Sequence, residues 1–591
     1  MAEPFSGAFQ SNYDKEPCIS IRDSSHRAWE AYGPIGRELE ARARDLGKPR
    51  VIITLECYPS VRLDEIVQGL GASMKFQGVF YSDEAALEGG AITAKMAPFL
   101  TEDRIFGYRY PFKVADFFVP QKIEEMRRQI EQTEGILLLI GFGASLIHRG
   151  DILVYGNLAR WEIQQRFRRG ELGNWKAQNE AEDPLRKYKR GFFIEWPMAD
   201  RLKKGLYDSI DYLLDTIKKD EPKMIRGEAY RQGLEQVVSA PFRTVPYFDP
   251  GVWGGQWMKK TFALNPKADN YAWSFDGVPE ENSLYLLYGE TRIEVPAQDA
   301  VLYRPLELLG EEVYGRFGAE FPIRFDFLDT MGGGNLSLQV HPLTAYIQEQ
   351  FGMPYTQEES YYILDAEEGA VVYLGVKEGT DPQEMLKALR EAQGDRPFEA
   401  EKYINTFPAK KHDHFSIPPG TIHCSGTNSV VLEISATPFN FTFKLWDWGR
   451  LGLDGKPRPI NIDHGEKVIA WDRDSAWVKA NLINPLAPIA QGDHWREERT
   501  GLHPSQFIET RRMWTKGPVT WNTHGTFNML NLVSGREALI ESPSASFEPF
   551  ILHYAETVII PASVGEYRIR PHGESEGQEI ALIKAYVRSK G

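Results

Sequence analysis

The sequence predicts a multidomain α/β plus β protein. An amino-terminal α/β domain with a mostly parallel sheet precedes two small β-barrels, the second of them degenerate. Three observations carry that reading. The chain has 591 residues, enough for roughly three or four domains with large cores. In its first 240 residues, uninterrupted apolar runs alternate with amphipathic stretches, the pattern of parallel strands covered by helices on both faces. Further on, short strand-forming runs recur between turn residues, as in antiparallel all-β structure.

Residues 1–240 are assigned to the α/β domain. Residues 50–58 read as a buried strand, 59–70 as a turn running into a helix, and 123–133 as a charged helix. Two more buried strands are expected at 135–140 and 151–155, and amphipathic helices at 159–169 and 198–219. Between the strands, Gly141-Phe142-Gly143-Ala144-Ser145 could offer backbone N–H groups to a phosphate. The segment lacks the lysine of a phosphate-binding loop and the third glycine of a dinucleotide fingerprint, so a scaffold is the favoured reading. Arg160, Arg166, Arg168 and Arg169 are expected on a solvated helix face.

Residues 241–260, with Pro241, Pro246 and Pro250, read as a linker. Residues 261–485 are expected to form the first barrel, with a helical insertion at about 381–400 whose Met385, Leu386 and Leu389 share one face. Residues 486–591 form the second, with strands near 526–533, 537–541, 557–561, 566–570 and 580–587.

The first barrel carries the chemistry. Gln339 and His341 are two apart, so on one strand both side chains point to the same face. Glu359 heads a strand-forming run, and His423 follows the Pro418-Pro419-Gly420 turn just before a buried strand. Two imidazoles, a carboxylate and an amide oxygen, without a thiolate, suit Zn²⁺ or another borderline divalent ion that keeps room for a substrate oxygen.

Composition excludes several function classes. The net charge of −15 argues against nucleic acid or an anionic membrane as partner. Cys18, Cys57 and Cys424 are too few and scattered for a disulfide framework, which points to a reducing, cytoplasmic compartment; Cys424 reads as a buried structural thiol. Residues 1–6 lack the regions of a signal peptide, and the longest apolar run, 135–147, is too short to span a bilayer.

Residues from about 244 to 590 resemble the type I mannose-6-phosphate isomerases, which are zinc cupins. The likeness rests on Val252-Trp253-Gly254-Gly255, on 321–329 followed by 336–342, on 359–364, on 373–377, on 417–423, and on Trp446-Asp447-Trp448-Gly449-Arg450. The amino-terminal domain is only loosely similar to P-loop kinase-like domains. The cupin resemblance implies one zinc ion held by Gln339, His341, Glu359 and His423, and a catalytic Arg450. It further implies a sugar or sugar-phosphate substrate and isomerisation through a cis-enediolate. It places Gln357, where the family carries a lysine, together with His414 and Asp326, on the substrate side. His414, Asp326 and Glu433 are the candidates for the general base. At residues 561–567 the equivalent turn lacks a ligand histidine, so the second barrel is expected to hold no metal. With family lysines replaced, two further readings stand beside it: a non-catalytic or regulatory sugar-binding cupin, and an isomerase of an unphosphorylated sugar.

Overall fold

A computed structural model describes residues 10–22, 28–393, 396–438 and 441–588. The chain forms two compact units: Pro17–Val237 with Pro279–Arg304, and Met1–Glu16 with Val238–Val278 and Pro305–Gly591.

In the first unit, seven strands lie in the order Trp29–Glu30, Lys223–Arg226, Tyr212–Asp215, Ile152–Asn157, Arg50–Cys57, Gly135–Gly141 and Gly78–Tyr81. The last five are parallel, and the first two are antiparallel additions at one edge. The expected helix at 198–219 is shorter: Trp196–Lys204 is helical, Gly205 ends it, and Tyr212–Asp215 is a fully buried strand. A short apolar run reads alike as helix or strand, and only its place beside Ile152–Asn157 decides.

The arginine run also departs from expectation. Arg168 and Arg169 are exposed, but Arg160 and Arg166 are buried. Arg166 donates to the carbonyls of Ser60 (2.7 Å), Thr216 (2.9 Å) and Ile217 (3.1 Å), and pairs with Glu162 at 3.0 Å. Loop carbonyls beyond the strands would otherwise be buried without donors, and one guanidinium satisfies three of them.

Residues 279–304 lie in sequence within the range read as the first barrel, yet they group with the α/β unit. Their hairpin, Ser283–Tyr288 with Thr291–Pro296, pairs with Cys18–Ser20. In the helix that follows, buried Asp299 accepts hydrogen bonds from Lys203, Tyr207 (3.1 Å) and Asn157 (3.1 Å). A charge pair this deep costs several kcal/mol if broken, which ties the segment to its unit.

The second unit is antiparallel throughout. Its first barrel has a six-stranded sheet ordered His414–Ile417, Glu359–Ala366, Ser429–Ala436, Ile323–Asp329, Trp273–Gly277 and Tyr247–Asp249. Facing it is a five-stranded sheet, Ile404–Pro408, Val371–Val376, His423–Ser425, Leu338–Val340 and Phe443–Trp446. Ser429–Ala436 is buried at every position, Glu433 and Ser435 included, as a central strand with a neighbour on each side. The stretch expected as a linker is structured: it holds the strand Tyr247–Asp249 and the helix Trp257–Thr261, and Phe242 exchanges backbone hydrogen bonds with Ile559. The insertion helix, Pro382–Glu391, starts at Asp381, whose carboxylate accepts from the Gln383 and Glu384 amides, and it buries Met385, Leu386 and Leu389.

The second barrel consists of a six-stranded sheet, Ala487–Gln491, Trp495–Arg499, Ile508–Thr515, Ile580–Val587, Asn528–Ser534 and Thr557–Ile560, and a four-stranded one, Val519–Asn522, Glu566–Pro571, Glu537–Glu541 and Phe550–His553. The two inner faces meet in one apolar cluster that includes Met513, Leu530, Leu532, Ile540 and Leu582.

Candidate metal centre

His341, Glu359 and His423 converge inside the first barrel. Their ligand atoms lie within 4.8 Å of one another, and all three residues are at most 1 % exposed. Glu359 opens a strand of one sheet and His423 a strand of the other, and His341 directly follows that second sheet's Leu338–Val340. Both imidazole Nε2 atoms address Glu359 Oε2, that of His423 at 3.3 Å and that of His341 in a shorter contact. Each Nδ1 faces a backbone carbonyl: Thr421 for His423 (2.9 Å) and Phe441 for His341 (3.4 Å). A carbonyl at Nδ1 accepts the ring proton there and leaves the Nε2 lone pair free for a metal, which is the arrangement that orients metal-bound histidines. Burial alone would raise the Glu359 pKa, but the two imidazoles hold it well below the usual carboxylate range.

The local backbone explains the placement. Gln339 and His423 are cross-strand partners, so their side chains share a face. The turn before His423 needs Gly420, whose φ is +89° and where a Cβ would lie 2.9 Å from the Val468 carbonyl. Arg473 braces that turn by donating to the carbonyls of Pro418 (2.8 Å) and Pro419 (2.6 Å). The Gln339 amide lies beside His423, Nε2 to Nε2 at 3.2 Å, and turning the amide over presents its oxygen at the same point.

These residues fit a divalent ion. Without one, Glu359 Oε1 is buried and has no hydrogen-bond partner. The donor set is nitrogen and oxygen only, which matches Zn²⁺ and its neighbours.

Around the cluster, the inner face of the six-stranded sheet is polar. Glu359 lies opposite Ser435, Tyr361 opposite Glu433, Glu433 opposite Asp326, and Ser435 opposite Arg324. Asp326 is ion-paired with Arg324. Burial, then Glu359 and Asp326, push the Glu433 pKa well above the ordinary carboxylate value, with Arg324 opposing. Gln357 is buried two residues before Glu359, and its Oε1 has no hydrogen-bond partner.

His414 differs from expectation. Its Nε2 meets Ser360 Oγ at 2.9 Å and its Nδ1 meets Thr500 Oγ1 at 3.2 Å. Ser360 points to the face opposite Glu359, so His414 lies behind the sheet. Burial, with Arg512 adding to it, drives its pKa down to about 3.

Arg450 is held by Asp447, through Nη2 to Oδ1 at 2.6 Å and Nε to the carbonyl at 3.2 Å. The same carboxylate takes Arg458 at 2.9 Å and Ser337 Oγ at 2.9 Å. Ser337 is two residues before Gln339 on the same face, and Lys444 is the cross-strand partner of Gln339. Burial, with Arg458 adding to it, lowers Lys444 to about 8. Two guanidiniums thus share one carboxylate, and Lys444 stands opposite the ligand candidate Gln339. Sequence reading missed Arg458 and Lys444. Only alternation from Gln339 to its neighbouring strand could have pointed to Lys444, and Arg458 sits in a loop with no spacing signal.

In the α/β unit, the glycine loop is already occupied. Gly143 and Ser145 amides donate to the two carboxylate oxygens of Glu56, each at 2.7 Å. The following helix, Ala144–Ile147, is one turn long. Burial raises Glu56 to about 7 even though these hydrogen bonds oppose the shift.

Comparison with known proteins follows the same division. Residues 32–239 match the family model described as a domain of unknown function, DUF8485. The chain is 22 % identical over 323 residues to the mannose-6-phosphate isomerase of Streptococcus mutans, covering 54 % of this chain and 91 % of that protein. Over that 54 % of its length the chain shows distant homology to the type I mannose-6-phosphate isomerases. A second such relative, mannose-6-phosphate isomerase ManA of Bacillus subtilis, is 24 % identical over 237 residues, 39 % of this chain and 69 % of that one. The solved mannose 6-phosphate isomerase of Bacillus subtilis aligns with 59 % of this chain and 100 % of its own at 16 % identity and a TM-score of 0.47. Among the described residues, no helix is long and apolar enough to cross a membrane.

Proposed function

We propose that the protein is a zinc-dependent aldose–ketose isomerase that interconverts mannose 6-phosphate and fructose 6-phosphate or a closely related sugar phosphate. The observation that carries this reading is the buried His341–Glu359–His423 group, set against a polar barrel face and a cationic cluster. Distant homology to the mannose-6-phosphate isomerases supports it.

Zinc, held by His341, Glu359, His423 and the Gln339 amide, would polarise the substrate's carbonyl oxygen and offset the charge of the enediolate. The remaining work belongs to the chain. A base must carry a proton between C1 and C2, and of the three candidates Glu433 and Asp326 face the inner side, whereas His414 does not. Arg450, held by Asp447, would serve as a preorganised donor for a developing oxyanion. Arg458 and Lys444 supply positive charge for a phosphate, which compensates for the lysine absent at Gln357.

Incubating the purified, zinc-loaded protein with mannose 6-phosphate should yield fructose 6-phosphate, and chelation should abolish it. Turnover that survives complete metal removal would defeat the reading. So would a metal-loaded protein that forms no ketose from any hexose 6-phosphate.

A further inference from the structure

The second barrel contains a cavity of about 730 Å³, a size that suits a small organic ligand. Its origin is legible strand by strand. Inward positions on Ile508–Thr515 read Glu509, Arg511, Met513, and those on Ile580–Val587 read Tyr586, Lys584, Leu582 in matching register. Asn528 and Leu530 follow the same gradient on their strand. One end of the barrel interior is packed with hydrocarbon, and the other end is polar and hollow.

The floor of this hollow is buried and charged, while its rim, at Thr520, His524 and Glu566, is exposed. Its charges are matched: Lys584 lies 3.3 Å from Glu497, Arg588 3.0 Å from Glu509, and Arg511 within 3.6 Å of both carboxylates. Trp521 is 6 % exposed and lines the cavity, yet its indole Nε1 is buried with no hydrogen-bond partner. A buried donor left unmade costs about 1–3 kcal/mol, so an acceptor brought within reach of Nε1 would relieve it.

Paired carboxylates and cations present acceptors and donors side by side without net attraction for either sign. Hydroxyl groups, which donate and accept at once, answer that pattern. A phosphate would find each cation already neutralised. We propose that the polar half of the second barrel is a binding site for a neutral sugar, built from residues separate from the His341–Glu359–His423 group. The inference stands on its own residues and does not rest on the isomerase reading.

The test uses the full chain and a panel of methyl hexopyranosides, which cannot undergo aldose–ketose isomerisation because their anomeric carbon is blocked. Saturation-transfer NMR and calorimetry should detect binding of at least one of them at millimolar concentration. Trp521→Phe, which keeps an aromatic ring but removes the donor and part of the indole's bulk, should weaken that binding on the order of tenfold. Arg588→Gln at the cavity should weaken it as well, and His341→Ala should leave it unchanged. The proposal is overturned if no glycoside binds, if binding is lost in His341→Ala but kept in Trp521→Phe, or if only phosphorylated sugars bind in a Trp521-dependent way. Thermal melting of each variant, matched to the parent chain, separates lost binding from lost folding.

Discussion

The two barrels of the second unit share an architecture and differ in what fills them. In the first, inward positions bring two imidazoles onto one carboxylate, and the polar face continues through Glu433, Asp326 and Arg324. In the second, the corresponding volume is half hydrocarbon and half matched ion pairs, with Lys584 packed over Trp521 at 3.9 Å. The pleat dictates which positions face inward in both. Residue identity then decides whether the interior can hold a cation: convergent imidazoles with their Nδ1 atoms already engaged can, while carboxylates neutralised by lysine and arginine have their charge spent on each other.

The largest effect that would test this contrast is metal loss. His341→Ala or His423→Ala should strip most bound metal, as read by elemental analysis, because nothing in the buried cluster replaces the missing nitrogen. Metal retained at the parent level in both variants would place the ion elsewhere. Next comes Arg450→Lys, which keeps charge but loses the planar fork that grips Asp447. Metal content should persist while kcat falls about a hundredfold, the worth of one preorganised oxyanion donor. A variant that melts early yet turns over normally per folded molecule would make the Asp447 pair purely structural.

The second barrel has its own signature in pH. Burial lowers Lys584 from 10.5 to about 8, with Glu497 opposing and Arg511 adding to the shift. Between those values the unfolded chain binds the extra proton, so stability should rise as pH climbs from about 8 to 10.5, by up to roughly 3 kcal/mol. Lys584→Met should flatten this part of the urea-unfolding profile without altering metal content. An unchanged profile would mean that the ion pair with Glu497 cancels the burial cost. The smallest expected effect is that of Gln339→Ala. A neutral amide is the weakest of the four donors and water can take its place, so metal affinity should drop on the order of tenfold, the low end for a supporting metal partner. A loss as large as that of the histidines would promote Gln339 to an equal ligand.

Much of this organisation was legible in the residues. Continuous apolar runs such as 136–140 lie in a parallel sheet, and Gln339 and His341, two apart, reach His423 and Glu359 of the same cluster. The Pro418-Pro419-Gly420 turn places His423 where its spacing suggested. What the residues could not convey concerns distant partners. The arginine at 166 looks like its exposed neighbours in sequence, yet it is buried under three loop carbonyls. His414 looked like a base until Ser360 and Thr500 claimed both of its nitrogens.

By itself, then, the sequence determined much of the local geometry: where the long apolar strands run, which helix faces are apolar, and which ligand types stand near the barrel's turns. Those are consequences of side-chain periodicity and turn chemistry, which act over a few residues. Tertiary structure alone decided the assignments that depend on long-range pairing. It joined residues 279–304 to the α/β unit through Lys203 and Asp299, filled the glycine loop with Glu56, and brought Arg450 and Arg458 onto Asp447. Burial makes an unpaired charge or hydrogen-bonding group costly, and its partner can come from anywhere in the chain, so no local pattern announces it.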